Sequence, residues 1–332
     1  MPNITFPSIC APGNAQNGMN LGYLSNRHTK KPHILNWGEG EWMVGAGVGD
    51  FANVLQRQDF SRLSEGGEAK ALYYTALGLL LGQGVHNLRG VMVGLPVDVF
   101  TNDELAKSVM RNIASFLKGE HTFTLNGEQI TVNVQSIARC PQPVGAYTTW
   151  LNGAKPDGQM WGVLDGGFNT LDAFAVRYPE IVHRYTAGAN LGMAEACRHF
   201  AKEFKVLTGR ECSLQDADTY LHADKPQVTF MGESYDLQQI KVQALESLAS
   251  RVIAFIRDKW GEPLPFAGVI FAGGQFATLR QHVLKQYPGA FVLENPVMSI
   301  AEGLAKQARL LWKEGRVIGL DPGFGAIKGV TL

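Results

Sequence analysis

Two segments of this chain are built alike, and the duplication constrains the fold more than any bulk property. One reads Val317-Ile-Gly-Leu-Asp321-Pro-Gly323-Phe-Gly325-Ala-Ile-Lys328, the other Trp161-Gly-Val-Leu-Asp165-Gly-Gly167-Phe-Asn169-Thr-Leu-Asp172. Each is an apolar strand, an Asp, a glycine-rich turn and a return strand. A tight turn without side-chain bulk lets backbone N–H groups converge on an anion. An Asp at the strand end can hold a cation or its waters beside that anion. Magnesium suits the arrangement, because it keeps several waters and takes few carboxylates. One such hairpin is an ordinary acidic β-turn; a matched pair can clamp a polyphosphate from two sides. No Walker A sequence is present, and the glycines lack the strand–helix setting of a dinucleotide fingerprint, so the cradle is of another type.

The elements around the hairpins alternate. Ile4–Phe6, His33–Trp37 and Glu41–Gly45 read as strands. A helix starts near Ser64, with Leu72, Ala76 and Leu79 on one buried face. Arg89–Leu95 is a strand, and Thr101 with Glu104 forms a capping box for a helix through Leu117. Asp98, after Leu95-Pro96, reads as a turn or helix-entry residue. Polar–apolar alternation on both sides of Asn126-Gly127 marks a hairpin. Cys140-Pro-Gln-Pro143 breaks the chain as a loop. Helices follow over Asn190–Phe204, along the stripe Ile240, Ala244, Leu248 and Val252, and over Ser299–Trp312. Strands fall at Ala267–Phe271 and Ala290–Leu293. The class is α/β, and 332 residues predict two domains.

Lys+Arg and Asp+Glu both number 30, so no global field draws the chain to nucleic acid or to an anionic membrane. A DNA partner would need a local patch or an adaptor protein. Cys10, Cys140, Cys197 and Cys212 lack metal or disulfide spacing, and Cys140 reads as a packed residue. His183 and His199 have no partner at ligand spacing and read as structural or surface residues. No signal peptide or membrane span is expected, which points to a bacterial cytoplasmic protein.

The hairpins resemble the two phosphate loops of the actin superfamily. Cys140-Pro-Gln-Pro-Val-Gly-Ala146 resembles that family's first connecting segment. Val269-Ile-Phe-Ala-Gly273-Gly274-Gln275 resembles its adenosine motif, and Asn295-Pro296 with Ile300-Ala-Glu-Gly303 its second connector. In the family the first phosphate hairpin opens the chain; here it closes it, and the segment that usually follows, Ile4-Thr-Phe-Pro-Ser8, lies near the start. The order is that of a circular permutant. Chain termini often lie close together at a surface, so such a rearrangement is physically tolerable. Within the superfamily the chain is most similar to the ParM-like actins that segregate plasmids.

The resemblance implies a circularly permuted actin-like fold of two ribonuclease H-like domains, residues 1–150 plus 297–332 and residues 151–296, with nucleotide in the cleft between them. It implies ATP or ADP with Mg2+ as ligands. Gly323, Phe324, Gly325 and Lys328 would take the phosphates from one hairpin, and Gly166, Gly167, Phe168 and Asn169 from the other. Gly273, Gly274 and Gln275 would meet the adenosine, with Gly188 closing the site. Asp321 and Asp165 would hold magnesium through water. Gln142 would orient the attacking water; an amide positions water but is a poor base, so turnover would be slow. The implied activity is ATP hydrolysis coupled to filament formation, with self as partner and DNA reached only through a ParR-like adaptor. A sugar or small-metabolite kinase on the same fold, or an MreB-type scaffold, are the alternatives.

Overall fold

The computed structural model describes residues 2–13, 31–38, 40–52, 54 and 59–332. The chain divides into two compact units, residues 1–149 with 300–332, and residues 150–299.

The first unit contains β1 (Asn3–Pro7), β2 (Cys10–Pro12), β3 (His33–Trp37), β4 (Gly40–Val44), α1 (Gly66–Leu81), β5 (Gly84–Leu95), α2 (Val97–Thr101), α3 (Asp103–Leu117), β6 (Gly119–Leu125), β7 (Glu128–Val134), β8 (Ile137–Pro141) and α4 (Gln142–Leu151). The second contains β9 (Trp161–Gly166), β10 (Leu171–Arg177), β11 (Glu180–Ile181), β12 (Ala187–Ala189), α5 (Met193–Thr208), α6 (Leu214–His222), β13 (Gln227–Phe230), β14 (Glu233–Asp236), α7 (Gln238–Trp260), β15 (Gly268–Ala272), α8 (Gly274–Gln286) and β16 (Phe291–Val292). The chain then returns to the first unit through α9 (Ser299–Leu311), β17 (Arg316–Pro322) and β18 (Ala326–Thr331).

Among the described residues the first unit builds one mixed sheet, β1-β18-β17-β5-β7-β6-β3-β4-β2, with β8 also on β5. β17 runs parallel to β5, and β18 returns antiparallel between β17 and β1. The second sheet, β11-β10-β9-β15-β16, pairs β9 parallel to β15 and antiparallel to β10. In each unit, then, an Asp-Gly hairpin is formed by a strand paired in parallel on its other side. The Asn126-Gly127 turn takes the positive φ that its residues tolerate, 52° and 86°.

α1 departs from the one-sided pattern. Tyr73, Tyr74, Thr75, Ala76 and Leu77 are consecutively buried, because the helix packs on β1, β3, β4 and β18 and is also covered by α3. A helix apolar on all sides is an enclosed one. The capping box moves by one residue: Thr101 already belongs to α2 and donates to the Val97 carbonyl, so the Asn102 side chain caps α3 by accepting from the Leu105 N–H at 3.1 Å. Asp98 lies in the first turn of α2.

α4 and α9 cross backbone to backbone. A Cβ on Gly303 would lie 1.8 Å from the Gly145 carbonyl oxygen, so only glycine permits the approach. No helix among the described residues is long and apolar enough to cross a membrane.

Candidate functional site: two Asp-Gly hairpins

In the first unit, Asp321 stands directly opposite Lys328 across β17 and β18. Its carboxylate is buried, and each oxygen has a partner. Lys328 Nζ donates to Oδ2 at 2.9 Å, and Gln142 Nε2 donates to Oδ1 at 2.6 Å. Gln142, expected in a proline-bounded loop, is the first residue of α4. Pro143 falls in the first turn, where a missing N–H costs nothing. Three residues far apart in sequence thus meet at one point.

The turn between the strands is held from outside. The Gly323 N–H lies 3.1 Å from both the Asp321 and Ala326 carbonyls, which tightens the loop. The Phe324 ring rests on Phe60, centroids 5.4 Å apart. The Gly325 carbonyl accepts from the Ser8 N–H at 3.0 Å. A Cβ on Gly323 would come within 3.2 Å of Lys328 Nζ and 2.8 Å of the Ala326 carbonyl, so glycine keeps the space beside the ammonium open.

The second unit repeats the register with different chemistry. Asp165 lies opposite Asp172 across β9 and β10, both buried. Two carboxylates opposite each other are unfavourable unless a cation or donors compensate. The turn closes through the Gly167 N–H to the Thr170 carbonyl at 2.8 Å. The start of α5 draws back the remaining carbonyls. Met193 N–H donates to Gly167, Ala194 N–H to Phe168 and Gly192 N–H to Asn169, at 2.7–3.1 Å. Because the peptide is planar, the N–H groups of residues 168–170 turn to the opposite side.

β15 brings the third motif alongside. Ala272 pairs with Asp165, and Gly273 turns at φ 86° so closely that a Cβ would meet the Asp165 carboxylate at 2.5 Å. Gly274 opens α8, with open space where a Cβ would project. Gln275 is wholly enclosed. Its amide donates to the Leu191 carbonyl at 3.0 Å and its side chain packs on Gly166, so it braces the hairpin from behind. Gly188 lies on β12 opposite Asp172, in one row with Asp165 across three strands.

Asp172 and Ser8 were not singled out by the sequence reading. The mirror position of Lys328 was the available signal for Asp172. Ser8 acts through its backbone, which leaves no trace in residue type. His183 is exposed and His199 half-buried. Burial pushes the Cys140 thiol up to about 12, which leaves it inert at neutral pH. Among the described residues no group of three or more His, Cys, Asp or Glu side chains is placed to hold a metal. The opposed Asp165 and Asp172 fit a magnesium ion that keeps most of its waters.

Two family models match the chain: "Actin like proteins N terminal domain" over residues 1–145 and "Archaeal actin homologue MreB-like, C-terminal" over residues 163–285. No curated protein matches. Among solved structures, the archaeal actin homologue Ta0583 in complex with ADP is 22% identical, with a TM-score of 0.72 over 92% of this chain and 93% of that one. A 15-stranded ParM filament from Clostridium botulinum is 20% identical, with a TM-score of 0.70 over 91% of each chain. Bacillus thuringiensis ParM with ATP is 13% identical, with a TM-score of 0.64 over 93% and 92%. The chain thus has the two-domain actin-like fold, and residues 1–145 and 163–285 are each similar to a family of actin-like proteins.

Proposed function

We propose that this protein binds ATP with magnesium, hydrolyses it, and assembles into filaments under control of the bound nucleotide. The observation that carries the reading is the meeting of Asp321, Lys328 and Gln142 at the root of a glycine turn. A polyphosphate competes with Asp321 for the Lys328 ammonium. Movement of Lys328 to the phosphates would free an Asp321 oxygen, which would then be able to hold a water of a bound magnesium ion. The Gln142 amide, already within 2.6 Å of that carboxylate, then orients water. The turn at residues 167–170 supplies N–H groups, and Asp165 with Asp172 supplies the negative charge that favours a divalent cation. Gly274, at the start of α8, leaves the backbone open to a nucleoside.

Self-assembly is supported by the filament formed by the Clostridium botulinum ParM. Plasmid segregation through an adaptor is the finer reading. ParM neighbours support it, and the archaeal homologue is equally similar. The chain order is read as a circular permutation. β18 lies beside β1, with Asn3 opposite Val330 and the Thr331 N–H on the Pro2 carbonyl at 3.2 Å, so residues 316–332 could precede β1 through a short link. A chain rearranged in that way should fold with unchanged stability; failure to fold removes the permutation reading.

The function is tested by right-angle light scattering of purified protein with magnesium and ATP, ADP or no nucleotide, with phosphate release followed in parallel. Scattering that rises with ATP and decays as phosphate appears is the expected result. ATP consumption without scattering over a wide protein range removes the filament reading and turns attention to phosphoryl acceptors. Asp165→Ala should abolish phosphate release; normal turnover in that variant refutes the assignment of the second hairpin.

A further inference from the structure

A buried ion pair stands behind the Asp321 hairpin, and nothing in the proposed chemistry uses it. Arg62 lies in the 3-10 turn Phe60–Leu63, and Glu68 in the first turn of α1. Both are nearly inaccessible, at 5% and 4% exposure. Arg62 Nε donates to Glu68 Oε1 at 2.5 Å, and its Nη2 donates to the Ser8 carbonyl. Removing two charges from water is costly and seldom gains stability over an apolar pair. A pair kept in such a place calls for another role.

The contacts lead to the anion-binding turn. Arg62 fixes the Ser8 carbonyl, and the Ser8 N–H fixes the Gly325 carbonyl. Holding that carbonyl toward β1 turns the N–H of the same peptide, that of Ala326, the other way. A carbonyl left free to rotate would instead present its negative end to an incoming phosphate. The same 3-10 turn also places Phe60 against Phe324 at the loop tip. Two separate contacts therefore run from residues 60–62 to the loop.

We infer that Arg62 is a positioning residue for nucleotide binding: through Ser8 it locks the peptide orientation of the Asp321–Lys328 turn. The inference rests on the nucleotide-binding reading of that turn. A single ammonium cannot span both positions reached by the guanidinium fork, so the residue type matters as well as the charge.

The test compares the full-length wild type with Arg62→Met/Glu68→Leu, Arg62→Lys and Ser8→Ala. The readouts are magnesium–ATP affinity from a fluorescent analogue, kcat and KM for phosphate release, and the thermal midpoint. The double variant exchanges the ion pair for apolar side chains and should keep its thermal midpoint, while nucleotide affinity falls about tenfold. Arg62→Lys keeps the charge beside Glu68 and should lose about threefold, chiefly in KM. Ser8→Ala should bind as wild type, because both Ser8 contacts are through its backbone. A double variant of wild-type stability and wild-type affinity overturns the inference; if that variant does not fold, Arg62→Lys with unchanged affinity and KM does the same. A wild type that binds no nucleotide removes the reading of the hairpin itself, and the inference with it.

Discussion

Replacing Gly303 by Ala sets two effects of opposite sign against each other. Helix propensity favours Ala over Gly inside a helix by about 1 kcal/mol, so a reading from propensity alone makes the variant more stable. The crossing of α4 and α9 argues the reverse. The new Cβ would lie 1.8 Å from the Gly145 carbonyl oxygen, and reaching even 3.0 Å requires the helices to part by about 1.2 Å. The atom that is met belongs to the backbone, so no rotamer change relieves the contact. Overpacking of this kind costs about 3 kcal/mol, the upper end of the usual range. The net expectation is a loss of about 2 kcal/mol once the propensity gain is subtracted.

Gly145→Ala should cost less, about 1 kcal/mol, because its Cβ would meet the Ile300 carbonyl at 2.6 Å. Gly274→Ala, whose Cβ meets nothing within 4 Å, is the control and should stay within about 0.5 kcal/mol of wild type. Urea unfolding at constant m measures all three. The separation should also reach the site, since α4 carries Gln142 at its first position and the Gln142–Asp321 contact is 2.6 Å. Gly303→Ala with stability equal to or above wild type refutes the crossing as a constraint on this fold.

Lys328→Met should destabilise the protein by about 3 kcal/mol, because it leaves the buried Asp321 carboxylate without its cation. It should also weaken nucleotide binding by about one to two orders of magnitude, and calorimetric titration with retained affinity counts against the phosphate role. Burial holds the His33 imidazole below its ordinary value. Its folded-state pKa is therefore depressed, so the unfolded chain binds the extra proton first as pH falls. The stability it contributes is present above the ordinary histidine range and is lost below it. Urea midpoints measured from pH 7.5 down to 5.0 should fall, and His33→Leu should flatten that slope; an unchanged slope assigns the acid sensitivity elsewhere.

The hairpins were legible because their signals are local. Apolar runs, an Asp and a glycine turn sit within a dozen residues, and alternation sets which face each side chain takes. The α/β class followed from the same periodicities. What stayed hidden depends on distant partners or on the backbone. Gln142 looked like a loop residue because Pro141 and Pro143 flank it, yet a proline in a helix's first turn is also a start signal. Gly145 and Gly303 sit in helices where composition reads them as weak spots, and only the crossing shows them to be required. Arg62 and Ser8 are separated by 54 positions, and their contact engages a carbonyl that no residue type announces. Gln275 was legible as part of a motif, but its complete burial was set by packing on Gly166.

The two hairpins share a register but differ at the position opposite the Asp, and this difference divides their work. Lys328 is paired with Asp321, which on the proposed reading makes the first hairpin the anion side. Asp172 sets a second carboxyl beside Asp165, which on the proposed reading makes the second the cation side. Asp172→Asn keeps the shape and removes one charge. Loss of a carboxylate that orients or holds a bound metal's waters lowers metal affinity by about 10–100-fold. Nucleotide affinity in the variant should therefore change little in EDTA, while the gain on adding magnesium shrinks by about that factor. Titrations of wild type and variant with and without magnesium separate the two terms. An equal loss in both conditions would make Asp172 a packing residue, and an undiminished magnesium gain would place the metal away from the β9–β10 pair.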